Sequence, residues 1–206
     1  MDDDFVNQDY INRLMQYLVH HPDHGAAHYN LGVGLARFGQ LDEAEKAFLK
    51  SLELEPGLVE AHLNLAGLYL QKGEIEAAIE QAQLAVEKKP EAALAHCNLG
   101  FALARAGRNE EAEAALKQAL DVNPNLVQAH VNLGQLQLSQ NRLKEALASF
   151  KSVLDLQPEL PLALYNLAVI HHKLGHAVQA KELLNQAKQK NFIIDPELAR
   201  QIEASN

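Results

Sequence analysis

Five prolines, Pro22, Pro56, Pro90, Pro124 and Pro158, each stand 34 residues after the last. A second series keeps the same rhythm: Asn30-Leu31-Gly32, Asn64-Leu65-Ala66, Asn98-Leu99-Gly100, Asn132-Leu133-Gly134 and Asn166-Leu167-Ala168. A third runs Gly39, Gly73, Gly107, Asn141, Gly175, and a fourth Ala44, Ala78, Ala112, Ala146, Ala180. Four series at one period mean stacked supersecondary units, each able to bury its apolar face only against a neighbour.

Each unit reads as two helices. In the first copy one helix spans roughly 25–38, with Leu31, Gly32 and Leu35 on one stripe. Gly39 ends it, because helices commonly terminate on a residue in the left-handed conformation that Gly adopts cheaply and Asn less so. Asn141 is the one departure and the next-best residue there. The second helix, roughly 41–54, sets Leu41, Ala44, Phe48 and Leu52 at helical spacing, and Pro56 prevents its continuation. Small residues at Gly32 and Ala44 let the paired helices approach closely.

On these residues the chain resembles the tetratricopeptide repeat family, whose pattern runs Leu-Gly, Ala, bulky apolar residue, Pro. The resemblance covers 25–58, 59–92, 93–126, 127–160 and 161–194. It implies an all-α, right-handed α-solenoid in a single array. The fifth unit departs from the pattern, with Leu164 after His28, His62, His96 and His130, then His171 at an apolar position and Phe192 in place of Pro. Residues 1–24 are expected to supply a capping helix over 5–20, with Val6, Tyr10, Leu14 and Leu18 on one face. Residues 195–206 are expected to form a second capping helix, with Asp195 as its cap, Pro196 in its first turn, and Leu198 and Ile202 inward.

Composition narrows the function. Apolar residues are 48% and charged residues 22%, which excludes a disordered chain. The net charge of −9 is opposite to that of a nucleic-acid binder. A single Cys excludes an internal disulfide framework. The start, Met-Asp-Asp-Asp-Phe, is unlike a secretory signal, and Leu160–Ile170 is too short to span a bilayer. The expectation is a soluble, cytoplasmic protein without membrane insertion.

A helix turns about 100° per residue, so Asn30, Asn64, Asn98, Asn132 and Asn166 fall opposite the packing stripe, in a row along one face. In the resembled family that face is the concave groove where peptides lie. A carboxamide both donates and accepts, so the row could grip an extended peptide backbone without reading its sequence. The arrangement is similar to the asparagine ladder of O-linked N-acetylglucosamine transferases, with nothing resembling their catalytic region. The alternative is that these side chains serve local backbone groups. Around them the candidate peptide-binding lining is Tyr29, Leu63, Cys97, Val131 and Tyr165, with Val33, Gly67, Phe101, Gln135 and Val169. Basic groups are limited to Arg37, Arg105 and Lys173, too few for the Lys/Arg clamp by which related domains hold chaperone C-termini. An extended ligand with apolar side chains is therefore expected.

Catalysis is not. His96 and Cys97 are adjacent on one helix and diverge, and no phosphate loop, dinucleotide fingerprint or paired-carboxylate motif is present. No cofactor is implied. The four histidines at repeat spacing read as partly buried fillers. The clusters His20, His21, His24 and His171, His172, His176 lack the regular spacing of metal motifs. The expected function is a non-catalytic adaptor or scaffold for an extended protein segment, with self-assembly into a homo-oligomer through the groove or end caps as the alternative.

Overall fold

The computed structural model describes residues 8–204. Among them are twelve helices: α1 Gln8–His20, α2 Gly25–Arg37, α3 Leu41–Leu54, α4 Val59–Lys72, α5 Ile75–Lys88, α6 Ala93–Arg105, α7 Asn109–Val122, α8 Val127–Ser139, α9 Leu143–Leu156, α10 Pro161–Lys173, α11 Ala177–Gln189 and α12 Pro196–Ala204. They fall into two compact units, the first ending at Arg108 and the second beginning at Asn109. Val6 and the rest of 5–7, part of the expected first helix, lie outside the described residues.

The turn inside each pair is set by one residue. Gly39, Gly73, Gly107 and Gly175 have φ of 73°, 81°, 76° and 78°, and Asn141 has φ 59°. In all five copies the next amide reaches back five residues: Gln40 to Leu35, Glu74 to Tyr69, Arg108 to Leu103, Arg142 to Gln137 and His176 to His171, at 2.8–3.0 Å. This is the six-to-one bond of a Schellman turn, which satisfies a carbonyl the helix end would otherwise orphan. The second helices stop differently. Glu55, Lys89 and Gln157, each before a proline, have φ of −132°, −145° and −137°, the extended backbone a following proline imposes. Where Phe192 replaces proline, Asn191 takes φ 57° instead, and the Phe192 amide bonds back to the Ala187 carbonyl at 3.3 Å.

In the first unit α2 pairs with α3 and α4 with α5, while α1 lies on α2, α3 on α4 and α5 on α6. In the second, α8 pairs with α9 and α10 with α11, while α7 lies on α8, α9 on α10, and α12 on α11 and α10. Ala44, Ala78, Ala112, Ala146 and Ala180 are each 0% exposed, one per second helix. The glycines on the first helices do more than bring backbones together. A Cβ on Gly32 would stand 2.7 Å from the Phe48 ring, and one on Gly134 2.8 Å from the Phe150 ring. At the same two registers the copy in 59–92 carries Ala66 and Ala82 and the copy in 161–194 carries Ala168 and Leu184, so within each unit the ring stands where the facing residue is glycine.

Charged ties cross between neighbouring pairs. Lys72 of α4 reaches Asp42 at 3.0 Å and Glu45 at 2.6 Å on α3, and the Tyr69 hydroxyl donates to Glu45 at 2.9 Å. Burial, then that bond, pushes the Tyr69 phenol up to about 12. Arg142, just before α9, donates to Glu113 of α7 and to Glu145, while Lys117 stands 2.9 Å from Glu113. At the end of the second unit Asp195 accepts from the Glu197 amide at 2.9 Å, and Ile202 and Ala199 are buried with Leu198 against Ala168, Ala180 and Leu184.

Candidate functional site

The helix period carries Asn30, Asn64 and Asn98 to one face of the first unit, on α2, α4 and α6. Asn30 and Asn64 are exposed and Asn98 half-buried. Asn64 is held: its amide donates to the Glu60 carbonyl at 2.9 Å and to the Tyr29 hydroxyl of the preceding pair at 3.0 Å. Both amide hydrogens are thereby used and Oδ1 remains as an acceptor. The Tyr29 ring is half-buried and leans on Phe48 at 5.9 Å, which fixes the hydroxyl. Half-buried Val33, Leu63 and Phe101 line the same face, and Arg37 and Arg105 are exposed in the last turns of α2 and α6.

The second unit is different. Asn132 and Asn166 are buried rather than presented as open rungs. Asn132 accepts from Gln128 at 2.8 Å, and Asn166 donates to the Leu162 carbonyl at 2.7 Å, so both are engaged four residues back on their own helix. Tyr165 is half-buried, with its ring 5.4 Å from Phe192 of the segment leading to α12. Gln135 and Lys173 are exposed on α8 and α10.

Three expected lining residues need correction. Cys97 is 0% exposed, Val131 belongs to the core with Phe150 and Leu167, and Val169 is buried. Cys97 and Val131 precede their asparagines by one residue, about 100° around the helix, which turns a short side chain into the helix–helix contact. Tyr29 and Tyr165 share that register and are long enough to reach out of it. Cys97 is thus a core residue, closed to modification.

The histidines make contacts that their sequence pattern alone did not specify. Nε2 of His28, His96 and His130 each donates to a proline carbonyl six residues back, of Pro22, Pro90 and Pro124, at 2.8 Å. These three histidines tie α2, α6 and α8 each to the turn before it, a role beyond filling space. His62 instead pairs through Nδ1 with Gln81 at 2.8 Å. The signal available was that His and Pro share one period. In the His clusters, His21 stacks on Tyr17 with ring centres 4.1 Å apart, and His24 bonds the Tyr17 hydroxyl at 2.9 Å. His171 faces His176, Nδ1 to Nδ1, at 3.2 Å, and burial, then His176, holds the His171 pKa below its ordinary value. Among the described residues no group of three His, Cys, Asp or Glu is placed to hold a metal ion. Nor is any of their helices long and apolar enough to cross a membrane.

No curated protein matches the sequence. Solved structures do resemble the fold. That of pilF from Pseudomonas aeruginosa is 26% identical, with TM-score 0.74 over 80% of this chain and 75% of that one. TTC0263 from Thermus thermophilus, a thermophilic tetratricopeptide repeat protein, is 25% identical, with TM-score 0.69 over 88% and 98%. YrrB, described as a tetratricopeptide repeat protein with an unusual peptide-binding site, is 22% identical, with TM-score 0.67 over 92% and 97%. The fold class is that of an all-α solenoid of helix-turn-helix repeats. Models of the tetratricopeptide repeat match residues 25–58, 47–80, 97–161 and 138–198, and a further TPR repeat model matches 67–107. Together these matches run unbroken from 25 to 198, and the chain belongs to the tetratricopeptide repeat family.

Proposed function

We propose that the chain is a non-catalytic adaptor or scaffold that holds an extended, partly apolar segment of another protein against the face bearing Asn30, Asn64 and Asn98. Tetratricopeptide repeat proteins are in general protein-interaction scaffolds. The observation that carries the finer reading is hydrogen-bonding capacity left over on that face. The Asn30 and Asn98 carboxamides make no hydrogen bond among the described residues, and Asn64 keeps a free, aimed oxygen. Each new bond nets roughly 0.5–1.5 kcal/mol, and ordering a flexible peptide costs as much or more. Selective binding therefore needs side-chain contacts as well. Asn132 and Asn166 are buried, so this grip is assigned to the first unit rather than to five equal rungs.

The second reading is self-assembly, favoured by Met15 and Val19, one turn apart on α1 and 53% and 75% exposed. One experiment separates the two. The full chain and an Asn30→Ala, Asn64→Ala, Asn98→Ala variant of equal helicity are used to capture proteins from source-cell lysate, with light scattering over a wide concentration range. A partner retained by the wild type and lost by the variant supports the adaptor. Equal capture by both removes the asparagine face from the account. Concentration-dependent mass with no foreign partner replaces it with self-assembly.

A further inference from the structure

Gly67 lies in the middle of α4, where a glycine costs a helix about 1 kcal/mol relative to alanine. Gly32 and Gly134 have a reason in the rings of Phe48 and Phe150. Gly67 has none: its φ is ordinary, it is exposed, and a Cβ built there meets none of the described residues within 4 Å. It occupies the register held by Val33 on α2 and Phe101 on α6, the helices on either side. Leu63, one turn earlier, is half-buried, and Leu94, one turn before Asn98, is 52% exposed. Without a side chain at Gly67 the surface between these apolar residues is open, one turn from the free Asn64 oxygen; that opening is the notch.

Charge narrows the occupant. The net charge of the chain is −9, yet the last turns of α2 and α6, one turn beyond the notch walls, carry Arg37 and Arg105. We propose that the Gly67 notch takes one large apolar side chain of an extended peptide, with a neighbouring acidic side chain of that peptide on Arg105 and a backbone N–H donated to Asn64 Oδ1. This rests on the peptide-binding reading above and adds the chemistry of the partner.

The test is a random twelve-residue peptide display library panned against the full chain, with selected peptides remade and titrated by fluorescence anisotropy. The expected peptides share a Leu, Ile, Met, Phe or Trp within a few residues of Asp or Glu. Gly67→Leu fills the notch with a better helix former, so its melting temperature should not fall. It should weaken those peptides by about tenfold or more, the worth of one buried large side chain. The same substitution should leave unchanged the residual binding of a peptide whose anchor is replaced by Ala. Arg105→Glu should weaken the parent peptide and not its Asp→Asn form. Selected peptides without an apolar anchor, or equal binding to wild type and Gly67→Leu, would overturn the notch. If such peptides still lose affinity on Asn64→Ala, the peptide-binding face stands without it. If no peptide is selected, both readings fall.

Discussion

The Phe48 ring fills the space that a side chain at Gly32 would need, with Cδ1 and Cε1 both 2.7 Å from a built Cβ. The contact is to a ring buried on every side, so it cannot be relieved by rotating a flexible end. Gly32→Ala should therefore destabilise the chain by about 1–3 kcal/mol, despite the helix-propensity gain. Gly134→Ala, against Phe150, should behave alike, while Gly67→Ala, meeting nothing, should stabilise by up to about 1 kcal/mol. Urea midpoints of the three variants check this, and a stable Gly32→Ala would refute the packing argument.

Ser51 offers the opposite case. Its hydroxyl is buried with no hydrogen-bond partner among the described residues, at a register where the other copies carry Ala85, Ala119, Val153 and Ala187. An unsatisfied buried hydroxyl costs about 1–3 kcal/mol, so Ser51→Ala should raise stability. A fall in the urea midpoint would mean the hydroxyl has a partner in solution.

The histidine ties predict a split within one register. His96→Phe keeps ring volume but loses the bond to Pro90, so it should cost roughly 0.5–1.5 kcal/mol. His130→Phe should match it through Pro124, whereas His62→Phe should strand Gln81 instead. A second change, Gln81→Leu, should then recover part of the loss only in the His62 background. Recovery in the His96 background as well would deny that the two ties differ.

Acid should release the tie between α7 and α9. Bonds from Arg142, then Lys117, hold the Glu113 carboxyl at about 2, against 4.5 ordinarily. A folded-state pKa below the unfolded one means the unfolded chain binds more protons between the two values. The stabilisation is then complete above about pH 4.5 and is lost as pH falls toward 2. Glu113→Gln should be less stable at neutral pH and show a shallower loss of melting temperature between pH 5 and 3. Parallel wild-type and variant curves would show that Glu113 titrates normally.

Local rules wrote the repeat plainly. The helix ends followed from Gly39 and its counterparts, from Asn141 as the one permissible substitute, and from the prolines, because each acts on its own backbone angles. Burial was harder to read. Cys97 and Tyr29 occupy one register, yet the first is core and the second reaches the surface, since side-chain length decides it and periodicity does not. Asn30 and Asn166 are likewise indistinguishable in sequence. Only the structure shows one left open and the other folded back onto Leu162.

The bond from Asn64 to Tyr29 joins residues 35 positions apart and commits the carboxamide before any ligand arrives. The rotameric freedom of Asn64 is surrendered during folding, so an incoming N–H meets an oxygen already aimed. The rungs are for this reason not interchangeable. On the proposed reading Asn30 and Asn98 are ordered only by the segment they would hold, while Asn64 has borrowed rigidity from the repeat before it. On the proposed peptide-binding reading, a change at Tyr29 should be felt through Asn64 as a faster departure of the bound segment.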